Sequence, residues 1–170
     1  MAMSGTFAAI TTWAVDVIDG ASGYNKVYAY QRKIRTTDAL VADFGTGATN
    51  SQGEAITKGW MVGASRREVL DRQRDSVIWA YGVDYLCLWS LESNGANRAD
   101  FIAHIEAVSD LLTATARPAS LAALDAGANE ICGPVEIRDI YTVVFPIDSG
   151  RIHYRADMTQ TIRLRQSIRS

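Results

Sequence analysis

The last stretch of the chain, "IHYRADMTQTIRLRQSI" at 152–168, alternates apolar and polar residues along almost its whole length. Ile152, Tyr154, Ala156, Met158, Ile162, Leu164 and Ile168 fall in one register, and His153, Arg155, Asp157, Arg163 and Arg165 in the other. A period of two is the mark of a β-strand with one buried face. Its length is the constraint. Seventeen residues at about 3.3 Å each reach roughly 55 Å, whereas a 170-residue globule is only about 40 Å across. A strand this long either bends around its own sheet or reaches a neighbouring subunit. The expectation is that 152–160 pair within the domain and that 161–169 help make an external contact.

A second strand signal, "SVIWAYGVDYLCLWSL" at 76–91, is apolar in one register from Val77 to Leu91, and Leu86 and Leu88 make part of the other register apolar too. A strand covered on both faces belongs near the centre of a sheet. Three further strands are expected, in "KVYAYQRKI", "ITKGWMVGAS" and "GPVEIRDIYTVVFPI", the last joined to the terminal strand through a tight turn at "DSG". "RREVLDRQRDS" reads as a charged hairpin tip or one helical turn. Residues 4–18, with Phe7, Ile10, Ala14 and Val17 at helical spacing, predict an amphipathic helix ending at Gly20. Phe101, Ile105, Val108 and Leu112 predict a second helix, with Asn97 as its N-cap and Pro118 beyond its end. A short helix is expected over 118–127. The segment 36–55, rich in Thr, Gly, Asn and Ser, predicts an extended, flexible surface loop. The fold class is therefore α+β: a single domain spanning 1–170, with an antiparallel sheet packed against helices.

Charge narrows the function classes. The net charge of −2 argues against a dedicated nucleic-acid binder. The distribution is uneven: residues 98–150 carry three basic and eight acidic groups, and 151–170 carry five basic and one acidic. No run of 18 apolar residues predicts a membrane helix, and the first residues lack a basic, signal-like start. The two cysteines have no C-x-x-C spacing, so both are expected to be reduced packing residues.

No motif carries chemistry. "HIE" at 104–106 has half of a zinc-deaminase signature without the P-C-x-x-C half. "DFGTG" at 43–47 lacks every companion of a kinase motif or a phosphate-cradling loop. His104 is expected to face solvent on its helix, and His153 to lie at a surface or interface among arginines. No metal, no cofactor and no catalytic activity are expected. Arg163, Arg165 and Arg169 share one face of the terminal strand. They suit a subunit interface first, a solvated face second and DNA contact third. Their candidate partners are Glu106, Asp110, Asp125, Glu130 and Glu136.

The order of elements then becomes informative. A helix and strand lead to "GWMVGASRREV", "SVIWAYGVDYLCLWSL", the helix "ADFIAHIEAVSDLL" and a closing hairpin ending in "IHYRADMTQTIRLRQ". This order resembles the tail terminator (tail completion) proteins of long-tailed bacteriophages and related tailed particles, from about residue 56 to 167. The resemblance implies a structural virion protein in a six-membered homo-oligomeric ring at the tail–neck junction, assembled in the host cytoplasm. Such a ring caps the tail tube, ends polymerisation and meets a head-completion or neck protein, with DNA at most passing through its lumen and no membrane involved. The insert at 36–55 departs from the pattern. The alternatives are another head–tail connector or neck protein, and a small cytoplasmic α+β enzyme or ligand-binding domain.

Overall fold

The computed structural model describes residues 6–22, 26–30, 34–91, 97–114, 132–144 and 150–168. The chain runs through helix α1 (Thr6–Ser22), strand β1 (Lys26–Tyr28), helix α2 (Thr37–Phe44), strands β2 (Gly45–Thr49), β3 (Ala55–Arg72) and β4 (Ser76–Ser90), helix α3 (Arg98–Ala114), and strands β5 (Cys132–Val144) and β6 (Ile152–Ser167). One sheet orders the strands β1-β3-β4-β6-β5, with β2 pairing off the path onto β3. The architecture is α+β, a single domain. Its neighbours are antiparallel except β1, which runs parallel to β3 and makes the sheet mixed.

The length of β6 is matched by its neighbour. β4 pairs with β6 in unbroken register from Ser76↔Ser167 to Ser90↔His153. Residues 161–167, expected to leave the domain, are thus hydrogen-bonded inside it. Every backbone N–H and C=O of a strand needs a partner, and a 15-residue β4 supplies them along the whole run. β3 is longer still and continues through the "RREVLDR" expected as a connector. Only 73–75 form the hairpin turn, closed by Gln73 N–H donating to the Ser76 carbonyl.

The two registers of β4 build two cores, as their composition demands. Tyr81, Val83, Tyr85, Cys87 and Trp89 face α1 and α3, meeting Ile10, Trp13, Ala14 and Ile18 of α1 and Phe101, Ile105, Val108 and Leu112 of α3. Tyr154, Ala156, Met158, Ile162 and Leu164 of β6 complete this layer. Fully burying an Ile or Leu of this kind contributes about 2 kcal/mol. α1 extends past Gly20 to Ser22, with its stripe at 10, 13, 14 and 18 buried against the sheet. Cys87 is buried and free, with burial raising its thiol pKa well above the ordinary value.

On the opposite face Leu88 joins Met61, Ile34, Leu40 and Phe44 in a smaller cluster, with Leu86, Tyr28 and Val143 packed against it. Its helix falls in the segment expected as a loop. The 36–55 stretch forms α2 and β2, not an extended loop. Thr36, in extended backbone, accepts from Ala39 N–H through its hydroxyl and caps α2, with Asp38 in the first turn. The apolar pair Leu40 and Phe44, one turn apart, is buried. β2 then pairs with β3, Gly45 opposite Thr57. Asn50 closes the following turn, its side-chain oxygen accepting from the N–H groups of Gln52 and Glu54. The short helix expected over 118–127 and residues 148–149 of the expected "DSG" turn lie outside the described residues.

Candidate functional site

α2 covers only one end of its sheet face. Moving along β6 from that end, the outward register passes from enclosure to solvent. His153 is fully buried and shares a 3.0 Å hydrogen bond between its Nε2 and the Thr57 hydroxyl. Arg155 and Asp157 form an ion pair at 3.0 Å, and the Tyr141 hydroxyl donates to Asp157. Beyond them none of the described helices covers the face. Arg138 Nε donates to Thr159 Oγ1 at 3.1 Å. Arg66, Arg138 and Arg163 then surround a groove of about 410 Å³ whose lining also includes Thr159, Thr161 and Glu136. Three guanidiniums against one carboxylate leave it with a net charge of +2.

The strand register explains this convergence. Arg66 pairs opposite Gly82, and Gly82 opposite Thr161. A Cβ at position 82 would lie 3.0 Å from Arg66 Nε and 3.3 Å from its Cβ, so glycine there gives the Arg66 side chain a flat path over β4. A second groove of about 450 Å³ shares Arg66 and Thr161 with the first and continues past Gly82 and Ala80 to Glu68. The bulge between Ala64 and Arg66 turns Arg66 onto this face. On the other face Arg67 lies 3.5 Å over the Trp79 ring.

The residues singled out in the sequence are only partly brought together. Arg163 and Glu136 line the same groove. Arg165, level with Ile78 and half-buried, lies further along the same face. Glu106 and Asp110 are exposed on α3, on the far side of the sheet from the arginines. Asp125, Glu130 and Arg169 lie outside the described residues. Arg66 and Arg138 went unselected, because the bulges at 64–66 and 137–139 shift their faces out of simple alternation. The arginine-rich "SRREV" at 65–69 is a signal for Arg66, whereas Arg138 stands alone in "VEIRDIY".

Neither histidine sits where the sequence suggested. His104 is half-buried, not solvent-facing. Trp60 Nε1–H donates to its Nε2 at 3.0 Å, and its ring lies 4.9 Å from that of Trp89. Burial, with Lys58 nearby, lowers its pKa to about 4. His153 lies inside and not at a surface, because its end of the sheet face is the end closed by α2 and β2. Burial there lowers its pKa to about 4 as well. Thr57, Ser90 and His153 form a buried polar row across three adjacent strands, with Thr57 N–H donating to Ser90 Oγ. A hydroxyl beside an imidazole is the pairing that activates a nucleophile. Here Thr57 and His153 are 1% and 0% exposed, out of reach of any substrate, so this row serves strand register.

Among the described residues, no group of three or more His, Cys, Asp or Glu could hold a metal ion, and no helix is long and apolar enough to cross a membrane. The described residues present a basic groove on the sheet face opposite α1 and α3, suited to charge-assisted bonds with carboxylates or other oxyanions. No protein-family model matches this chain, and no curated protein matches its sequence.

Proposed function

We propose that this protein is a structural, non-catalytic subunit of a tailed particle. It forms a six-membered ring that caps the tail tube, ends its polymerisation and joins it to the neck. One observation carries the reading beyond the resemblance in element order. The subunit has two unlike surfaces on opposite sides of its sheet: the arginine groove on one, and the acidic outer face of α3 on the other. A ring built from head-to-tail contacts needs such a pair, since each subunit offers different surfaces to its two neighbours.

Native mass spectrometry of the purified protein, with negative-stain microscopy, tests the ring. Rings of six subunits are expected; a monomer or compact dimer favours a small ligand-binding domain instead. Tail length in a particle lacking the gene then separates a terminator from another neck component. A terminator's loss gives overlong tube polymers, and loss of a neck component leaves tails of normal length without heads.

A further inference from the structure

We infer that the arginine groove on the open sheet face is the docking site for the acidic outer face of α3 from a second copy of this chain. The contact rests on the head-to-tail assembly proposed above and names its two halves.

The groove's charges are regularly spaced. Through the register, Arg66 lies level with Thr161, Arg163 two residues further along β6, and Arg138 beside Thr159. Positions two apart on a strand are separated by about 7 Å. On α3, Glu106 and Asp110 are both exposed and four residues apart, which places them about 6 Å from each other along one helix face. Two carboxylates at that spacing match two neighbouring guanidiniums, and their charge of −2 balances the groove's net +2.

Shape agrees with charge. The groove lies on a floor of small residues, with Gly82, Thr159 and Thr161 beneath the guanidiniums. Around Glu106 and Asp110 the exposed helix surface is Ala103, Ala107, Thr113 and Ala114, with Leu111 its one large apolar side chain. The three alanines let the helix approach a flat sheet closely, and Leu111 gives it an apolar side chain to bury there. It would supply a helical layer where none of the described helices packs on this face, since a sheet face is stably closed by packing a layer onto it. The two halves sit on opposite sides of one sheet, so the contact cannot be mutual within a dimer and propagates from subunit to subunit.

Charge reversal tests this directly. The first variant carries Arg66→Glu with Arg138→Glu, and the second Glu106→Lys with Asp110→Lys. All four side chains are exposed, so each variant is expected to keep the wild-type circular dichroism spectrum. Sedimentation velocity is expected to show association weakened at least about 100-fold in each alone. A one-to-one mixture of the two is expected to assemble, because reversed groove meets reversed helix at one contact and native groove meets native helix at the next. Wild-type rings alongside variants that still assemble alone, or a mixture that stays dissociated, overturns this contact and leaves the ring intact. A wild-type monomer overturns both. Binding of a DNA duplex that is lost in the first variant, without any change in assembly, assigns the groove to phosphates and overturns the contact.

Discussion

Thr57 and His153, 96 residues apart in the chain, share a 3.0 Å hydrogen bond in the interior of the sheet. They meet over Ser90, the small residue on the strand between them, whose hydroxyl accepts from the Thr57 N–H. The imidazole is buried in its neutral form, with a pKa near 4 against 6.5 in the unfolded chain. The folded state therefore binds fewer protons than the unfolded one between those values. Stability from this group is fully present above about pH 6.5 and is lost as pH falls toward 4, by an amount on the order of 3 kcal/mol. Urea unfolding at pH 7.5, 6.0 and 4.5 is expected to show that loss. In His153→Gln the slope between pH 6.5 and 4.5 is expected to be shallower. An unchanged slope would assign the acid sensitivity to other groups, His104 first among them.

The seating of α2 depends on Gly59. A Cβ at that position would overlap the Phe44 ring, which is fully buried against β3. Gly59→Ala must therefore push Phe44 off the sheet, and α2 has only Leu40 as its other fully buried anchor. Overpacking of this kind costs about 1–3 kcal/mol. Removing the ring instead, by Phe44→Ala, costs about 3–5 kcal/mol. The double variant is expected to be less destabilised than the sum, because the smaller residue at 44 makes room for the methyl group at 59. Urea midpoints of the three variants check this. Strict additivity would mean that the two positions do not touch.

Much of the fold was legible because its strongest signals were long and periodic. β4 and β6 each keep one apolar register over most of their length, and α3 keeps its stripe at Phe101, Ile105, Val108 and Leu112. What escaped was set by the second layer. α2 is eight residues long, with two anchors and a threonine cap, inside a stretch whose composition resembles a loop. Once α2 is missed, the outward register of β6 looks uniformly solvated, and His153 is misplaced along with it. The reach of β6 was misjudged for a related reason. An estimate based on a spherical domain has no place for a three-stranded layer whose members are 15 to 18 residues long. The groove itself was half visible: Arg163 and Glu136 follow simple alternation, whereas Arg66 and Arg138 sit beside bulges that alternation does not foresee.

Gln160 ties three elements together. Its side-chain oxygen accepts from the Tyr85 hydroxyl at 2.7 Å, and its amide nitrogen donates to the Leu112 carbonyl at 3.2 Å. It thereby joins β6 to β4 and to the last turns of α3, all within the buried layer. Gln160→Ala removes both bonds and opens a cavity, so a loss of about 2–4 kcal/mol is expected. Tyr85→Phe removes one bond and little volume, for about 1 kcal/mol. Thermal melts of the two variants are expected in that order, and a larger loss for Tyr85→Phe would contradict this account of the link.

Arg163 separates the fold from the assembly more cleanly than Arg165. It is exposed at the groove's rim, whereas Arg165 is half-buried and level with Ile78. Reversing Arg165 therefore disturbs folding and contact together. Arg163→Glu is expected to leave the melting temperature within a few degrees of wild type, as exposed surface changes usually do. It is also expected to weaken assembly at least about tenfold, by turning a guanidinium into a like charge beside incoming carboxylates. Arg163→Lys keeps the charge but loses the planar fork that binds a carboxylate through two parallel bonds, so its assembly is expected to fall between the two. Raising ionic strength from about 0.05 to about 0.5 M, conditions set around a Debye length of about 8–10 Å, is expected to weaken the wild type and narrow its lead over Arg163→Glu. Sedimentation at both salt concentrations supplies the measurement. A wild type and an Arg163→Glu variant with equal association at low salt would leave Arg163 as a solvated residue of the open face.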